Sequence, residues 1–461
     1  MTEPKRKWVG ILLSAILVPL FWLVPLPGEI SPDGQRALAV TIFAILWWVF
    51  NVVHPAYTAL LSMAAFVFLQ LAEPAVVFRL WSLPLMWMIL ASFLIAAAVT
   101  KSGLARRVAY FFMSRYATSY KNIIVLIYIL GLTLSFLIPQ PFPRALLMMS
   151  VVRHIIQLSG CSRKDSSSLG FAVFSSLTAT SIILLTGDVL LNLAAVGFSG
   201  EQIGWLEWLR YMAVPGLAAS LLMMGLHFLV FRPEGRINVD QAALKVQSLD
   251  LGPMSRKEKV TLGWVMAALL LWGMDSITGV DPAWVAVVVV VGLSLPKIGD
   301  VLEVGDISTG VSWPIIIFIT GAFAIGAVGL ETGLSAWLAD ILLPADPPGS
   351  AFAFSFLISA GTMFIHMFIG SALATMSVVA PAMVGYAASA GWSPVFPALL
   401  IYTTVQIHYL LPFPHVTILL GEGETGGYSI SETLRFGIPL TVLTFVVILF
   451  VEIPWWKLIG L

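Results

Sequence analysis

The sequence predicts an all-α polytopic membrane protein, with about eleven transmembrane helices and two re-entrant hairpins arranged as an inverted repeat. Three observations carry that prediction. Of 461 residues, 59% are hydrophobic and only 10% are charged, against about 25% charged in a soluble domain. Mean hydropathy is +0.96, and apolar runs recur near the roughly 20 residues that a helix needs to cross a bilayer. Two of these runs are interrupted at corresponding places in the two halves. The first interruption is Ile138-Pro139-Gln140-Pro141-Phe142-Pro143-Arg144 and the second is Ile369-Gly370-Ser371-Ala372-Leu373-Ala374-Thr375.

Taken in order, Lys5-Arg6-Lys7 precedes a first apolar segment with no small-residue cleavage site after it, so that segment is expected to remain as a helix. The predicted spans are roughly 8–25, 36–53, 55–72 and 83–115, followed by a hairpin at 122–158. Pro139, Pro141 and Pro143 remove three backbone donors and forbid a continuous helix there. At membrane depth such a break is tolerated only where protein or a watery cavity covers it. Spans at 168–198 and 209–231 come next, and the polar connector 232–259 divides the chain. The second half reads 260–276, 282–296 and 312–343, a hairpin at 350–388, then 394–420 and 433–455. Broken segments in matching positions of two halves point to a transporter's binding site.

Charge sets the orientation. Basic residues crowd the N-terminus, the 101–121 segment (Lys101, Arg106, Arg107, Arg115, Lys121), 153–164 and the connector, all expected to be cytoplasmic. Loops around Glu201 and Asp346 are acidic and expected outside, and no Lys or Arg occurs between Lys297 and Arg435. Thr100-Lys101-Ser102-Gly103-Leu104-Ala105-Arg106-Arg107 resembles Glu331-Thr332-Gly333-Leu334-Ser335-Ala336. The first copy is basic and the second acidic, so related segments lie on opposite faces. Zero net charge gives no sign of a nucleic-acid partner, and the single Cys161 excludes an internal disulfide. No Gly-x-Ser-x-Gly elbow, His-Glu-x-x-His or phosphate-cradling loop occurs, so neither an enzyme nor a cofactor is expected. The acidic Gly421–Gly427 stretch reads as a flexible cytoplasmic loop. Trp8, Trp455 and Trp456 read as interfacial anchors.

Several patches resemble the divalent anion:sodium symporter family, which includes dicarboxylate, citrate and sulfate carriers. They are Leu38-Ala39-Val40 through Trp47-Trp48, Val53-His54-Pro55-Ala56-Tyr57-Thr58-Ala59-Leu60-Leu61, both Gly-Leu copies, and Ile430-Ser431 through Phe436-Gly437-Ile438-Pro439-Leu440. The resemblance implies a homodimer whose protomers each move a transport domain past a scaffold in an elevator-like motion. Scaffold helices would occupy 1–121, 199–311 and 427–461, with a scaffold arm at 312–349. The transport domain would comprise 122–198 and 350–426. Relatives carry Ser-Asn-Thr at each hairpin tip, holding sodium and substrate carboxylates. Here the matching positions are Pro139, Gln140 and Pro141, then Ser371, Ala372 and Leu373. Only Ser371, with Gly370 before it and Thr375 after it, keeps that chemistry. Sodium is a hard cation that wants oxygen ligands, so its coupling at these tips is doubtful. Asn192 aligns with the family's asparagine after the first broken span, and Pro412-Phe413-Pro414-His415 keeps the second break.

Polar residues at membrane depth are the remaining candidates. Arg144 either grips an anion with paired hydrogen bonds, stands in for sodium, or snorkels to the cytoplasmic interface. Asp188 is a proton carrier, a partner for Arg144, or a helix cap. Thr178 and Thr180 lie nearest the family's cavity-facing positions. His366, His408 and His415 are proton-coupling candidates, with no metal site among them. His154 and His227 look peripheral. The expectation is a secondary transporter of a small anion such as a di- or tricarboxylate, proton-coupled or an exchanger, multi-pass in the cell membrane with its N-terminus cytoplasmic. The alternatives are a sodium symporter with rebuilt sites and a non-transporting receptor on the same fold.

Overall fold

Lipid offers no partner for a backbone N–H, so apolar runs of this length must pair their own backbone groups as helices. The computed structural model describes residues 3–234, 239–345 and 347–461. Part of the predicted connector and Asp346 lie outside the described residues. Among the described residues the only pairing of extended backbone is an isolated bridge between Glu422 and Tyr428.

The first half runs α1 (Glu3–Leu23), α2 (Pro32–Val49), α3 (Pro55–Phe68), α4 (Pro84–Ser102), α5 (Leu104–Tyr116), α6 (Tyr120–Ser135), α7 (Pro141–Ser159), α8 (Arg163–Thr180), α9 (Val189–Ser199) and α10 (Trp205–Val230). A connector helix, α11 (Gln241–Asp250), leads to the second half. That half runs α12 (Arg256–Trp272), α13 (Pro282–Ser294), α14 (Trp313–Glu331), α15 (Leu334–Leu342), α16 (Ala351–Ile369), α17 (Ala372–Ser389), α18 (Val395–Ile407), α19 (Val416–Gly421) and α20 (Ile430–Val447). The last helix continues through a π-helical turn, Ile448–Glu452, into Ile453–Ile459. Among the described residues, 7 helices are long and apolar enough to cross a membrane, and both arms of the second hairpin are among them.

The two halves exchange partners. The α3 helix of the first packs on α14 of the second, and α13 of the second packs on α4 of the first. The repeated Gly-Leu motif is the joint that both halves use. Gly103 and Gly333 sit at φ +84° and +77°, a left-handed conformation that ends one helix and turns the chain into the next. The predicted spans 83–115 and 312–343 are therefore each two helices, because the turn falls inside the apolar run. Spans 168–198 and 394–420 break at 181–188 and 408–415. A satellite core joins α2, α3 and α14, and the second hairpin reaches it through Ile369 and Ala374.

Three local expectations change. Trp456 is buried rather than interfacial, with its Nε1 donating to the Tyr211 carbonyl at 3.1 Å. The Gly421–Gly427 stretch is tied down: Arg153 donates to the carbonyls of Glu424 and Thr425, and the Gly426 carbonyl abuts Gly170. His227 is enclosed, 3.0 Å from Ser168 Oγ.

On the predicted cytoplasmic side, Arg107 of α5 clamps the start of α12. Its Nε and Nη2 donate to the two oxygens of Glu258 at 2.6 and 3.0 Å, and its Nη1 and Nη2 donate to the carbonyls of Gly252 and Leu251. Nearby, Lys101 pairs with Glu303 and Asp306 at 3.2 and 3.0 Å. In the connector, the Lys164 ammonium holds the exposed Glu234 carboxyl below its usual range, helped by Ser162. Replacing Arg107 by Ala should leave the buried Glu258 carboxylate without its cation and cost about 2–4 kcal/mol. The check is thermal unfolding of the detergent-purified protein, where an unchanged transition would show the clamp contributes nothing.

Candidate functional site

The prolines that interrupt the first apolar run mostly begin a helix. Pro141 is the first residue of α7 and Pro143 the third, positions where a helix has no intrahelical use for an N–H. Only Pro139 lies in the tip between α6 and α7. This register makes Arg144 the fourth residue of α7, one turn back from the tip. Its side chain is fully buried, so it does not snorkel to the interface. Nη1 donates to the Gly131 carbonyl at 3.0 Å, and Nη2 donates to Ser181 Oγ at 2.7 Å and to the Gly187 carbonyl. Nε donates to the Gln140 carbonyl at 3.3 Å. The guanidinium thus joins both arms of the first hairpin to the break between α8 and α9.

That break is itself stapled. Asn192 Nδ2 donates to the carbonyls of Ser181, Leu184 and Leu185 at 3.1, 2.8 and 3.2 Å. Gly187 is required because a Cβ there would collide with the Ser181 carbonyl oxygen. The Val189 N–H reaches across to the Pro139 carbonyl at 3.3 Å. Asp188 caps α9, accepting from the Leu191 N–H at 3.4 Å. It makes no contact ion pair with Arg144 among the described residues, though the two lie within electrostatic reach. Thr178 and Thr180 turn their hydroxyls to the Ser175 and Ser176 carbonyls of their own helix, both at 2.9 Å. Thr180 packs under Gly131.

The second half repeats the plan with different groups. Its tip is Gly370-Ser371, where Ser371 caps α17 and accepts from the Ala374 N–H at 3.4 Å. Ala372 and Leu373 follow, both buried and apolar. Thr375 is the fourth residue of α17, the place Arg144 holds in α7, and its Oγ1 lies 3.2 Å from His366 Nδ1 on the opposite arm. His408 opens the second break and His415 closes it. His408 Nε2 lies 3.1 Å from Thr441 Oγ1, while neither ring nitrogen of His415 has a partner among the described residues. Both lie within electrostatic reach of His366. Pro412 and Pro414 shape this break, and Phe413 between them rests against Gly370. Among the described residues no three His, Cys, Asp or Glu groups are arranged to hold a metal.

The structure therefore gathers Pro139, Gln140, Pro141, Arg144, Asp188 and Asn192 at one centre. Gly370, Ser371, Thr375, His366, His408, Pro414 and His415 gather at a second. The N-termini of α7, α9 and α17 open on these centres, which favours negative charge beside them. Sequence reasoning missed Gln406, whose buried amide lies beside Asp188. It also missed Glu452, buried against α18 about one turn before the second break and bonded to Thr403 at 2.6 Å. The signal for Gln406 was its place two residues before His408. The signal for Glu452 was an acid inside the final apolar run.

Residues 5–461 match the family described as "Sodium:sulfate symporter transmembrane region". A Cupriavidus necator protein described as "Membrane protein" is 26% identical, the match covering 97% of this chain and 92% of the relative. The "Dicarboxylate transporter 1, chloroplastic" of Spinacia oleracea is 22% identical, covering 99% of this chain and 83% of the relative. The "Inner membrane protein YbhI" of Escherichia coli is 23% identical, covering 99% and 98%.

The staple at Asn192 gives a sharp test. Asn192→Asp keeps the shape but aims carboxylate oxygens at three carbonyl oxygens. It should cost about 3–5 kcal/mol, read as a large drop in unfolding temperature or loss of monodisperse protein. A variant as stable as the parent would mean that the Asn192 amide does not hold the break.

Proposed function

The chain belongs to the sodium:sulfate symporter family, and from that premise we propose that it is a secondary transporter of a small di- or tricarboxylate that works without sodium. The observation that carries this reading is the surroundings of Arg144. Three carbonyls and a hydroxyl, from Gly131, Gln140, Gly187 and Ser181, converge on its guanidinium. Such an oxygen set also suits a hard cation. In this chain a covalently attached cation fills it. At the second tip the corresponding position is Thr375, bonded to His366, with His408 and His415 near. Imidazoles exchange protons near neutral pH. Charge compensation for the anion then comes from Arg144 together with protons on these histidines, or from a second anion carried the other way.

The substrate class rests on the relatives whose names give dicarboxylate as their cargo. The tips, with Pro139, Gln140 and Pro141 on one side and Gly370, Ser371, Ala372, Pro414 and His415 on the other, line the anion site in this reading. Residues 122–198 and 350–426 form the transport domain, and the remaining helices form the scaffold of a homodimer. The N-terminus is cytoplasmic, in keeping with the basic residues gathered on that face.

The test is uptake of radiolabelled malate by proteoliposomes containing the full chain. Replacing sodium by choline should change the rate by less than about twofold. Arg144→Gln should lower it by about 10–100-fold, the loss of one or two charge-assisted hydrogen bonds. Uptake that requires millimolar sodium in the absence of a pH gradient would sink the sodium-free reading. Binding without turnover would favour a receptor.

A further inference from the structure

A second buried polar feature runs away from both tips. Glu452 ends the π-helical turn of the last helix and is fully buried. A single π turn re-aims a side chain, and such turns often sit at functional positions. Glu452 Oε1 accepts a 2.6 Å hydrogen bond from Thr403 Oγ1 of α18, while Oε2 has no partner among the described residues. No Lys or Arg among the described residues forms an ion pair with it. Lys457, just over one turn further along the helix, lies over the Phe352 ring at 5.4 Å.

The α16 helix packs on this π-helical turn and on α18, and it carries a stripe of hydroxyls. Ser355, Ser359, Thr362 and His366 follow one another on α16 at spacings that place them on one helix face, and all are fully buried. The neighbouring faces show where the stripe points. Phe352 and Phe356 pack on Phe450 and Phe445 of the last helix, whereas Phe354 stacks on Trp392 and packs on Phe396 of α18. Between these faces, the stripe meets the seam that the Thr403–Glu452 bond bridges. Thr404 and Thr444 nearby bond their own helix carbonyls, at Leu400 and Leu440. The hydroxyls of Ser355, Ser359 and Thr362 have no partner among the described residues, nor does Nε2 of His366. From α18, Tyr402 also lies within electrostatic reach of Glu452, of Asp188 and of Arg144, and its hydroxyl is equally unpaired. From α10, which packs on the same turn, the charged and titratable groups are Glu207, Arg210, Tyr211 and His227: Glu207 and Tyr211 bond each other at 2.6 Å, Arg210 donates to the Ile459 carbonyl at the end of the last helix, and His227 lies 3.0 Å from Ser168 Oγ.

A buried row of hydroxyls without protein partners is suited to internal water. From Ser355 to His366 it rises about 16 Å through the membrane. We infer that this seam is a proton path separate from the anion's route, with Glu452 as the acidic group that loads it. The inference rests on the proton-coupled form of the function proposed above. The Glu452 carboxylate takes a proton from the outer side and becomes the neutral acid. The proton then passes along Ser355, Ser359, Thr362 and intervening water to His366 Nε2. His366 becomes imidazolium, and Glu452 returns to carboxylate, ready to be loaded again. Each proton delivered offsets one negative charge on the anion carried inward.

The experiment uses proteoliposomes of the full chain with radiolabelled malate in two assays: uptake driven by acid outside, and malate–malate exchange at equal pH. Glu452→Gln should cut gradient-driven uptake by at least about tenfold while leaving exchange within about twofold of the parent. Ser359→Ala with Thr362→Val should slow driven uptake in the same selective way, and this pair decides the matter if Glu452→Gln does not fold. Driven uptake that survives in the variants overturns the path and leaves the transport reading intact. Equal losses in both assays would make Glu452 structural and overturn it too. A parent protein that exchanges malate but does not respond to the pH gradient overturns proton coupling itself, and the path with it.

Discussion

Everything around the first hairpin tip depends on burying one guanidinium. An ionised side chain in this position is tolerable only if its donors are met, and they are met almost wholly by main-chain oxygens. Two of those oxygens are available because the backbone is irregular at two places, the third being that of Gly131 within α6. The hairpin turn exposes the Gln140 carbonyl, and the break after α8 exposes that of Gly187. Arg144 is therefore both the beneficiary of the broken backbone and its remedy, since unpaired carbonyls at that depth would be costly without it. Asn192 does the same for the other carbonyls of the break. The two side chains together turn eight unwound residues into a defined loop.

The halves share a plan and differ in charge chemistry. In each, the fourth residue of the returning hairpin arm reaches back to the outgoing arm, by Arg144 to Gly131 in one and by Thr375 to His366 in the other. In each, the group so placed lies beside a broken helix. One half supplies a permanent cation. The other supplies imidazoles, whose charge depends on protons. A fold whose halves repeat one plan thus holds a fixed element at one centre and an adjustable one at the other.

Much of this was legible in residue types. Prolines at 139, 141 and 143 marked the first tip, Arg144 was conspicuous in an apolar run, and the Gly-Leu copies disclosed the repeat. Arg144's partners were not legible, because three of them are carbonyls and every residue has one. Only the fold selects those of Gly131, Gln140 and Gly187. The joints at Gly103 and Gly333 were hidden inside long apolar stretches whose hydropathy continues through the turn. Glu452 escaped because a π turn shifts the helical phase, so counting by 3.6 residues misplaces its face. Trp455 and Trp456 look alike as an aromatic pair near the chain's end, but adjacent helical residues diverge by about 100°, and one of them must turn inward.

The prolines that open α7 carry a further consequence. A helix start ordinarily presents a cluster of free N–H groups to a negative ligand. With Pro141 and Pro143 in the first turn, only Phe142 of the first three residues of α7 offers an N–H, whereas α17 offers those of Ala372 and Leu373, its third being taken by Ser371 Oγ. The two mouths of the inverted pair are therefore unequal solvents for an anion, one poor in amide dipoles beside a full charge and the other rich in them beside neutral or protonated rings. A molecule with two different ends would have a preferred way round between them.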